Sequence, residues 1–141
     1  MATRSNIAQL LPDGRVKVIY CHCDGYPEGV GRMLEKHYNT PDRVNDLMAL
    51  GGLWQLRQYL YPTGPHIEGA REPRVTIALG RDCGEPDRQA HTHTDRAAWR
   101  AAMALDIEYC YLWLPRTVTH PETGAAGGWL RMREFAPCHN D

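Results

Sequence analysis

The sequence YCHCDGYPEGVGR, from Tyr20 to Arg32, contains the junction that decides the fold. An alternating apolar run precedes it and helical spacing follows Pro27, so the stretch joins a strand to a helix. On a strand, residues two apart share a face, and Cys21 and Cys23 therefore point away from His22. Because these three side chains cannot easily reach one ion, and because no CxxC turn is present, we predict no metal site here.

The second half of this stretch, DGYPEGVG, suits an anionic ligand. Gly25, Gly29 and Gly31 straddle the junction, where unpaired backbone amides and the positive end of the helix can hold a phosphate. The sequence is not a Walker A loop, because GKS or GKT is missing. The alternative is that the glycines only permit tight turning and close helix packing. We predict a ligand-binding site formed here by His22, Asp24, Gly25, Tyr26, Gly29 and Gly31.

A second charged loop, GRDCGE at Gly80–Glu85, follows another apolar run. Arg81 can clamp a phosphate through its planar guanidinium, and Asp82 and Glu85 can accept hydrogen bonds from a ribose or a base. Arg4, near the start of the first strand, joins this set if the fold brings it close to these loops. The alternative is a solvated surface loop. The predicted ligand-binding set therefore also includes Arg4, Arg81, Asp82 and Glu85.

The elements of the first half follow from periodicity and turn signals. Asn6–Leu10 and Arg15–Cys23 are predicted to form a β-hairpin closed by the turn PDG. Helical spacing after the junction predicts a helix that ends near Asn39. A second helix is predicted to begin at Pro41, with Thr40 as its N-cap, and to stop at the following pair of glycines.

The elements of the second half of the chain follow from the same signals. Trp54–Arg74 has many breakers and is predicted to be a loop or a partly ordered excursion, whereas Val75–Leu79 is predicted to be a central strand. A third helix, carrying Trp99 and Leu105, follows Thr94 or Asp95 as cap, and the runs IEYCYLWL and GGWLRMREF form the last two strands. The predicted fold class is α+β, with a mostly antiparallel sheet of about five strands and about three helices packed on it.

Composition limits the possible partners. A chain of 141 residues has the size of one domain, and we predict a single domain spanning residues 1–141. Its formal net charge of −1 gives no basic field that would attract nucleic acid or an anionic membrane. No run approaches the roughly 18 to 20 apolar residues that span a bilayer, and the five cysteines are irregularly spaced. We expect a cytoplasmic protein with reduced thiols, bound neither to a membrane nor to nucleic acid.

Catalysis by a cysteine has little support in the sequence. Cys21 and Cys23 lie next to His22, but neighbours on a strand diverge, and catalytic pairs normally come from distant segments. The HxH motif at His91 and His93 can bind a metal, although an exposed polar loop is the simpler interpretation. We therefore predict no catalytic residues, no metal and no cofactor.

Several motifs together resemble a family of small phage and prophage proteins. They are TRSNI at Thr3–Ile7, IYCHCDGYPEGVG at Ile19–Gly31 and LGRDCGE at Leu79–Glu85, and the family's versions read TRS[TN]I, YCHWDGYP and GRDRGE. The resemblance spans most of the chain. Two positions depart from it, since Cys23 replaces an aromatic residue and Cys83 a basic one, so this chain lacks any ligand contact that such a ring or charge would make.

The length and the element order are also similar to those of the first Thoeris anti-defence family, whose members sequester cyclic nucleotide immune signals without degrading them. This similarity implies a phage-type anti-defence protein that acts in the host cytoplasm as a homo-oligomer. The implied ligand is a cyclic nucleotide or an ADP-ribose derivative, held between protomers without cleavage.

Two other functions stay open. One is an inhibitor of a host defence effector by direct protein–protein contact, of the anti-CRISPR type. The other is an enzyme acting on nucleotide phosphoesters, with His22, Asp24, His91 or His93 as acid or base. Ligand released by denaturing the purified protein separates the three, because a binder returns it intact, an enzyme returns product and a protein-contact inhibitor returns nothing.

Overall fold

The structure, a computed structural model, describes residues 2–62 and 73–132. Within those ranges the chain forms seven strands, three α-helices and one π-helical turn. In chain order they are β1 (Ser5–Leu10), β2 (Val16–Cys21), the π-helical turn (Pro27–Gly31), α1 (Arg32–His37), α2 (Pro41–Leu50), β3 (Leu53–Gln55), β4 (Ile77–Ala78), β5 (His91–His93), α3 (Arg96–Ala102), β6 (Tyr109–Thr119) and β7 (Ala126–Met132). No helix among the described residues is both long and apolar enough to cross a membrane.

β1 and β2 form the predicted hairpin. They pair antiparallel, with Ile7 opposite Ile19, and the Leu11 amide closes the turn by donating to the Arg15 carbonyl over 2.8 Å. Asp13, in the PDG turn, accepts a hydrogen bond from the Arg15 amide, a local bond that makes aspartate common in turns. The hairpin is therefore confirmed, and the junction after β2 leaves the sheet from one of its inner strands.

The strands lie in the order β4-β3-β2-β1-β6-β7, and β5 pairs with β2 outside that path. β1 runs parallel to β6 and β2 parallel to β3, whereas the other pairs are antiparallel. The predicted α+β class is confirmed, but the sheet is mixed and has seven strands, not a mostly antiparallel arrangement of about five. Each parallel pair needs a crossover, and the π-helical turn, α1 and α2 supply the one between β2 and β3.

Three short strands differ from the predictions. The predicted loop at Trp54–Arg74 begins inside β3, and Val75–Leu79 contains only the two-residue β4, at the edge of the sheet and not at its centre. His91–His93 forms β5 against β2 instead of an exposed loop. Runs of two or three residues are too short for alternation to show. Residues 63–72 of the predicted loop, and the last three of the predicted strand GGWLRMREF, lie outside the described residues.

The sheet carries an apolar core on each face. Alternation in β2 sends Ile19 and Cys21 to one face and Val16 and Val18 to the other, as the sequence predicts. We call these the α1–α2 face and the α3 face, after the helices that cover them. On the α1–α2 face, the residues that pack in the same core as Ile19 and Cys21 include Val30, Leu34, Tyr38, Val44, Leu47 and Met48. On the α3 face, Trp99 and Met103 pack in the same core as Val16 and Val18.

Capping sets the ends of α2. The Thr40 hydroxyl accepts a hydrogen bond from the Arg43 amide over 3.3 Å, and Pro41 opens the helix. The helix stops at Gly51, which has φ of +83° and where a Cβ would overlap the Arg88 carbonyl. Both ends therefore agree with the prediction.

The third helix is shorter than its apolar pattern suggests. Asp95 caps it by accepting a hydrogen bond from the Ala98 amide over 2.8 Å, as predicted. Trp99 packs into the core, but the helix ends at Ala102. Leu105, which was expected to belong to it, follows that end and is 91% exposed.

Candidate functional site

The backbone amides of the glycine junction are already used by the fold. The Gly25 amide donates to the Thr3 carbonyl and the Gly29 amide to the Tyr26 carbonyl, each over 2.9 Å. The next amide, that of Val30, donates to the Asp24 carbonyl over 2.8 Å. Because these donors are occupied, the expectation of free amides that cradle a phosphate is wrong for Gly25 and Gly29.

Close packing explains why these positions are glycine. A Cβ on Gly25 would lie 2.6 Å from the Thr3 carbonyl oxygen, and one on Gly29 would overlap the Asp24 carbonyl. A Cβ on Gly31 would lie 3.1 Å from the Tyr111 ring. The alternative given by the sequence, tight turning with close helix packing, is the one that these contacts support.

The junction contributes a carboxylate instead. Asp24 lies at φ of +58°, a conformation that aspartate tolerates better than most residues. Its carboxylate accepts hydrogen bonds from Gln55 Nε2 over 2.9 Å and from the Tyr26 hydroxyl over 3.3 Å, and the Asp24 charge raises the pKa of Tyr26. Gln55 in turn accepts from Arg57 over 3.1 Å. The chain Arg57–Gln55–Asp24 fixes the carboxylate at the mouth of a groove.

This groove, which we call the basic groove, lies between α1 and the segment that follows β3. Its volume is about 360 Å³. It is lined by Asp24, Glu28, Gly29, Val30, Arg32, Met33, Lys36, His37, Gln55, Leu56, Arg57 and Pro73. Of the ten residues predicted for ligand binding, Asp24 and Gly29 line the basic groove. Tyr26 does not line it but donates a hydrogen bond to Asp24.

Three permanent cations converge on the basic groove. Arg32 and Lys36 lie one helical turn apart on α1. Arg57 faces them from the segment after β3, and its guanidinium also donates to the Gln55 side chain and the Val75 carbonyl. Neither Arg32 nor Lys36 forms an ion pair with any described residue. Asp24 and Glu28 supply the opposing charge. In a chain with a formal net charge of −1, this is a local excess of positive charge.

A second depression shares Arg32 with the basic groove but is lined by more acidic than basic side chains. Its volume is about 410 Å³, and it is lined by the carboxylates of Glu28, Glu35 and Glu122 together with Arg32 and Arg131. Carboxylates outnumber guanidinium groups there, so it suits an anion less well than the basic groove does.

Arg81 is committed to the fold. Its guanidinium donates to the Leu60 carbonyl over 2.6 Å, to the Thr76 carbonyl over 2.8 Å and to both carboxylate oxygens of Asp82 over 3.0 and 2.8 Å. The side chain is only 29% exposed. These bonds assign Arg81 a structural role, and a role as a phosphate clamp would require breaking them.

The carboxylates of the same loop are also engaged. Asp82 accepts a hydrogen bond from the Ala78 amide over 2.7 Å. Burial acts to raise the pKa of Asp82, but the hydrogen bonds from Arg81 and from this amide outweigh it and lower the pKa below its usual value. Glu85 pairs with Arg88 at 2.6 Å. None of the three predicted residues Arg81, Asp82 and Glu85 lines the basic groove.

Arg4 and His22 lie in a third place. Arg4 pairs with Asp106 at 3.4 Å. The His22 ring stacks on Trp54 with centroids 4.4 Å apart, and its Nδ1 lies 2.7 Å from the Tyr20 hydroxyl. Burial raises the pKa of Tyr20, against a hydrogen bond from Arg4 that lowers it. Since Tyr20 alternates with Ile19, this row lies on the α3 face, away from the basic groove.

Burial raises the pKa of both thiols next to His22, those of Cys21 and Cys23. Cys21 is fully buried, and burial raises the pKa of its thiol to about 12, so the thiolate is strongly disfavoured. Across residues 2–62 and 73–132, no three His, Cys, Asp or Glu side chains come close enough together to hold a metal ion.

Sequence reasoning missed most of the side chains in the basic groove. Arg32 and Lys36 are four apart on a predicted helix, and that spacing was a usable signal. Gln55 and Arg57 lie in the segment predicted as a loop, where nothing in the sequence shows which way they point. No protein-family model, curated protein or solved structure matches this chain.

Proposed function

We propose that this protein binds a phosphorylated nucleotide in the basic groove and sequesters it without cleavage, as a phage-type anti-defence protein would do with a cyclic nucleotide or ADP-ribose-derived signal. The convergence of Arg32, Lys36 and Arg57 on one groove carries this proposal. Guanidinium and ammonium side chains bind phosphate through charge-assisted hydrogen bonds.

The remaining lining suits the rest of a nucleotide. Met33 and Leu56 offer apolar surface on which a ribose or base can pack. Asp24, held by Gln55, can accept hydrogen bonds from ribose hydroxyl or base amino groups. In the host cytoplasm, an oligomer of this chain with one such groove in each copy would lower the free concentration of an immune signal.

Calorimetry with cyclic dinucleotides, cyclic trinucleotides, ADP-ribose and cyclic ADP-ribose tests the proposal. We expect one of these ligands to bind well below millimolar, and Lys36→Ala and Arg32→Ala each to weaken that ligand about 10- to 100-fold, the value of one hydrogen bond to a charged group. Arg116→Ala is the matched control, because Arg116 is exposed on β6 and does not line the groove. Its affinity should equal that of the wild type.

The same samples separate binding from turnover. Mass spectrometry of the solution after long incubation should return the ligand intact. Binding no tighter than about a millimolar for the whole panel, or unchanged affinity in both groove variants, would overturn the proposal. A recovered product would instead support an enzyme, and the absence of any ligand from freshly purified protein together with a captured host protein would support an inhibitor that acts by contact.

A further inference from the structure

A second cavity lies on the opposite face of the sheet from the basic groove. It has a volume of about 370 Å³ and is formed by the end of α3, by β2 and by β5, and we call it the α3 cavity. Val18, Trp99, Met103 and Ile107, all buried, supply largely apolar walls, and the buried Trp99 Nε1 has no hydrogen-bond partner among the described residues. Its volume is within the usual range for small-molecule sites, roughly 300 to 1,000 Å³.

An unpaired amide lines this apolar cavity. Asn6, in β1, is on the same side of the strand as Ala8 and so belongs to the α3 face. The residue is only 9% exposed. Its side chain forms no hydrogen bond with any residue in the described part of the chain. Its amide atoms are not among the fully buried polar atoms that lack a partner, so the amide keeps some exposure and offers a donor and an acceptor side by side to whatever enters the cavity.

The charged side chains at the mouth of the α3 cavity are already in ion pairs. Register places His91 opposite Val18 and His93 opposite Val16, so both rings lie on the α3 face. The two charged groups at the mouth are already paired, Arg88 with Glu85 at 2.6 Å and Asp106 with Arg4 at 3.4 Å. The cavity therefore favours a ligand that is largely apolar and uncharged.

We propose that the α3 cavity binds the base of an adenine nucleoside, with Asn6 reading the edge of the ring. An asparagine amide pairs with adenine through two hydrogen bonds, accepting from the N6 amino group and donating to N7. The apolar walls cover the faces of the ring, and the ribose lies toward His91 and His93 at the mouth. The site is independent of the basic groove, since the sheet separates the two.

Titration of the full chain with adenosine and with inosine tests this site. Inosine replaces the N6 amino donor by a carbonyl acceptor, so one of the two bonds to Asn6 is lost. We expect adenosine to bind about 10- to 100-fold tighter than inosine, the discrimination of a bidentate asparagine–adenine pair. The Asn6→Ala variant should bind both nucleosides equally, and its thermal unfolding is recorded alongside to show that it folds.

A second variant keeps the test decisive if Asn6→Ala fails to fold. Ala102→Trp fills the mouth of the cavity from the exposed end of α3, whereas Ala101→Trp places the same ring at the neighbouring exposed position that does not line the cavity. Adenosine binding should be lost in the first variant and kept in the second. Equal binding by these two variants, equal affinity for adenosine and inosine in the wild type, or no adenosine binding below a few millimolar would overturn the proposal.

The groove variant Lys36→Ala distinguishes this proposal from the one made for the basic groove. It should leave adenosine affinity unchanged, and Ala102→Trp should leave nucleotide binding in the groove unchanged. Loss of adenosine binding in Lys36→Ala would place the nucleoside in the groove and overturn the α3 cavity as its site.

Discussion

At the scale of single residues, charge partners decide what a side chain can do. Arg32 and Arg81 are chemically identical, yet only one of them lacks a partner among the described residues. Arg81 has four hydrogen bonds to its own chain, two of them to Asp82. The sequence motif drew attention to Arg81 because a motif shows residue types and not their bonds.

The Asp82 carboxylate should make stability depend on pH in the acid range. Its pKa is lowered in the folded protein from a usual value of 3.8, so its contribution is complete above that value and is lost as pH falls toward the lowered pKa. Asp82→Asn should therefore lower the free energy of unfolding by about 1 to 2 kcal/mol at pH 7 and by much less at pH 3. Urea unfolding at the two pH values measures the difference.

Asp46→Asn is a suitable control, because Asp46 is exposed on α2. It should change stability by less than about 0.5 kcal/mol at either pH. Arg81→Ala removes the partner and should also cost stability at pH 7. An equal loss for Asp82→Asn at both pH values would contradict the assignment.

At the scale of elements, the junction between β2 and α1 is held by contacts that permit no side chain. Gly29→Val places a branched side chain against the Asp24 carbonyl, in a turn that cannot move without breaking the Val30–Asp24 hydrogen bond. We expect a loss of more than about 2 kcal/mol in the free energy of unfolding, as for overpacked sites. Chemical denaturation measures it.

Gly80→Ala provides the comparison for this substitution. A Cβ at Gly80 would have its nearest contact at 3.6 Å, ordinary van der Waals distance, so this variant should be close to the wild type in stability. Near-wild-type stability of Gly29→Val would show that the turn relaxes, and the packing argument for the junction would then fail.

Much of the fold was predictable from the sequence because its long elements have clear periods. The alternation in β2 and β6 and the caps at Thr40 and Asp95 gave the correct strands and helices. The short strands β3, β4 and β5 were not predictable, since two or three residues show no period and their pairing depends on distant segments. The lining of the basic groove was not predictable for the same reason, because Gln55 and Arg57 reach the groove only through the pairing of β3.

At the scale of the whole molecule, one sheet separates two cavities and two cores. Cys21 lies in the core of the α1–α2 face and Cys110 in the core of the α3 face, both fully buried, whereas Cys83 is exposed. The two buried thiols therefore report on the two faces separately. Their reaction with a thiol reagent measures how each core opens.

In a Cys138→Ser background, Cys83 should react at once under native conditions and the half-buried Cys23 more slowly, whereas Cys21 and Cys110 should react only when the protein unfolds. If the domain is one cooperative unit, the two buried thiols should become reactive at the same denaturant concentration. A colorimetric thiol assay across a urea series, with peptide mapping of the labelled sites, makes the measurement. Labelling of one buried thiol well before the other would show that the faces open independently.

The stack of His22 on Trp54 gives the molecule an optical reporter. Trp54 is 41% exposed, whereas Trp99 and Trp113 are buried and Trp129 is half-buried, so the emission of Trp54 should lie at the longest wavelength of the four. It also occupies β3 directly before Gln55, the residue that holds Asp24 at the basic groove. A ligand that displaces Asp24 would therefore change the contact between the Trp54 indole and the His22 imidazole. The wavelength and intensity of Trp54 emission on one face of the sheet would then report ligand binding on the opposite face.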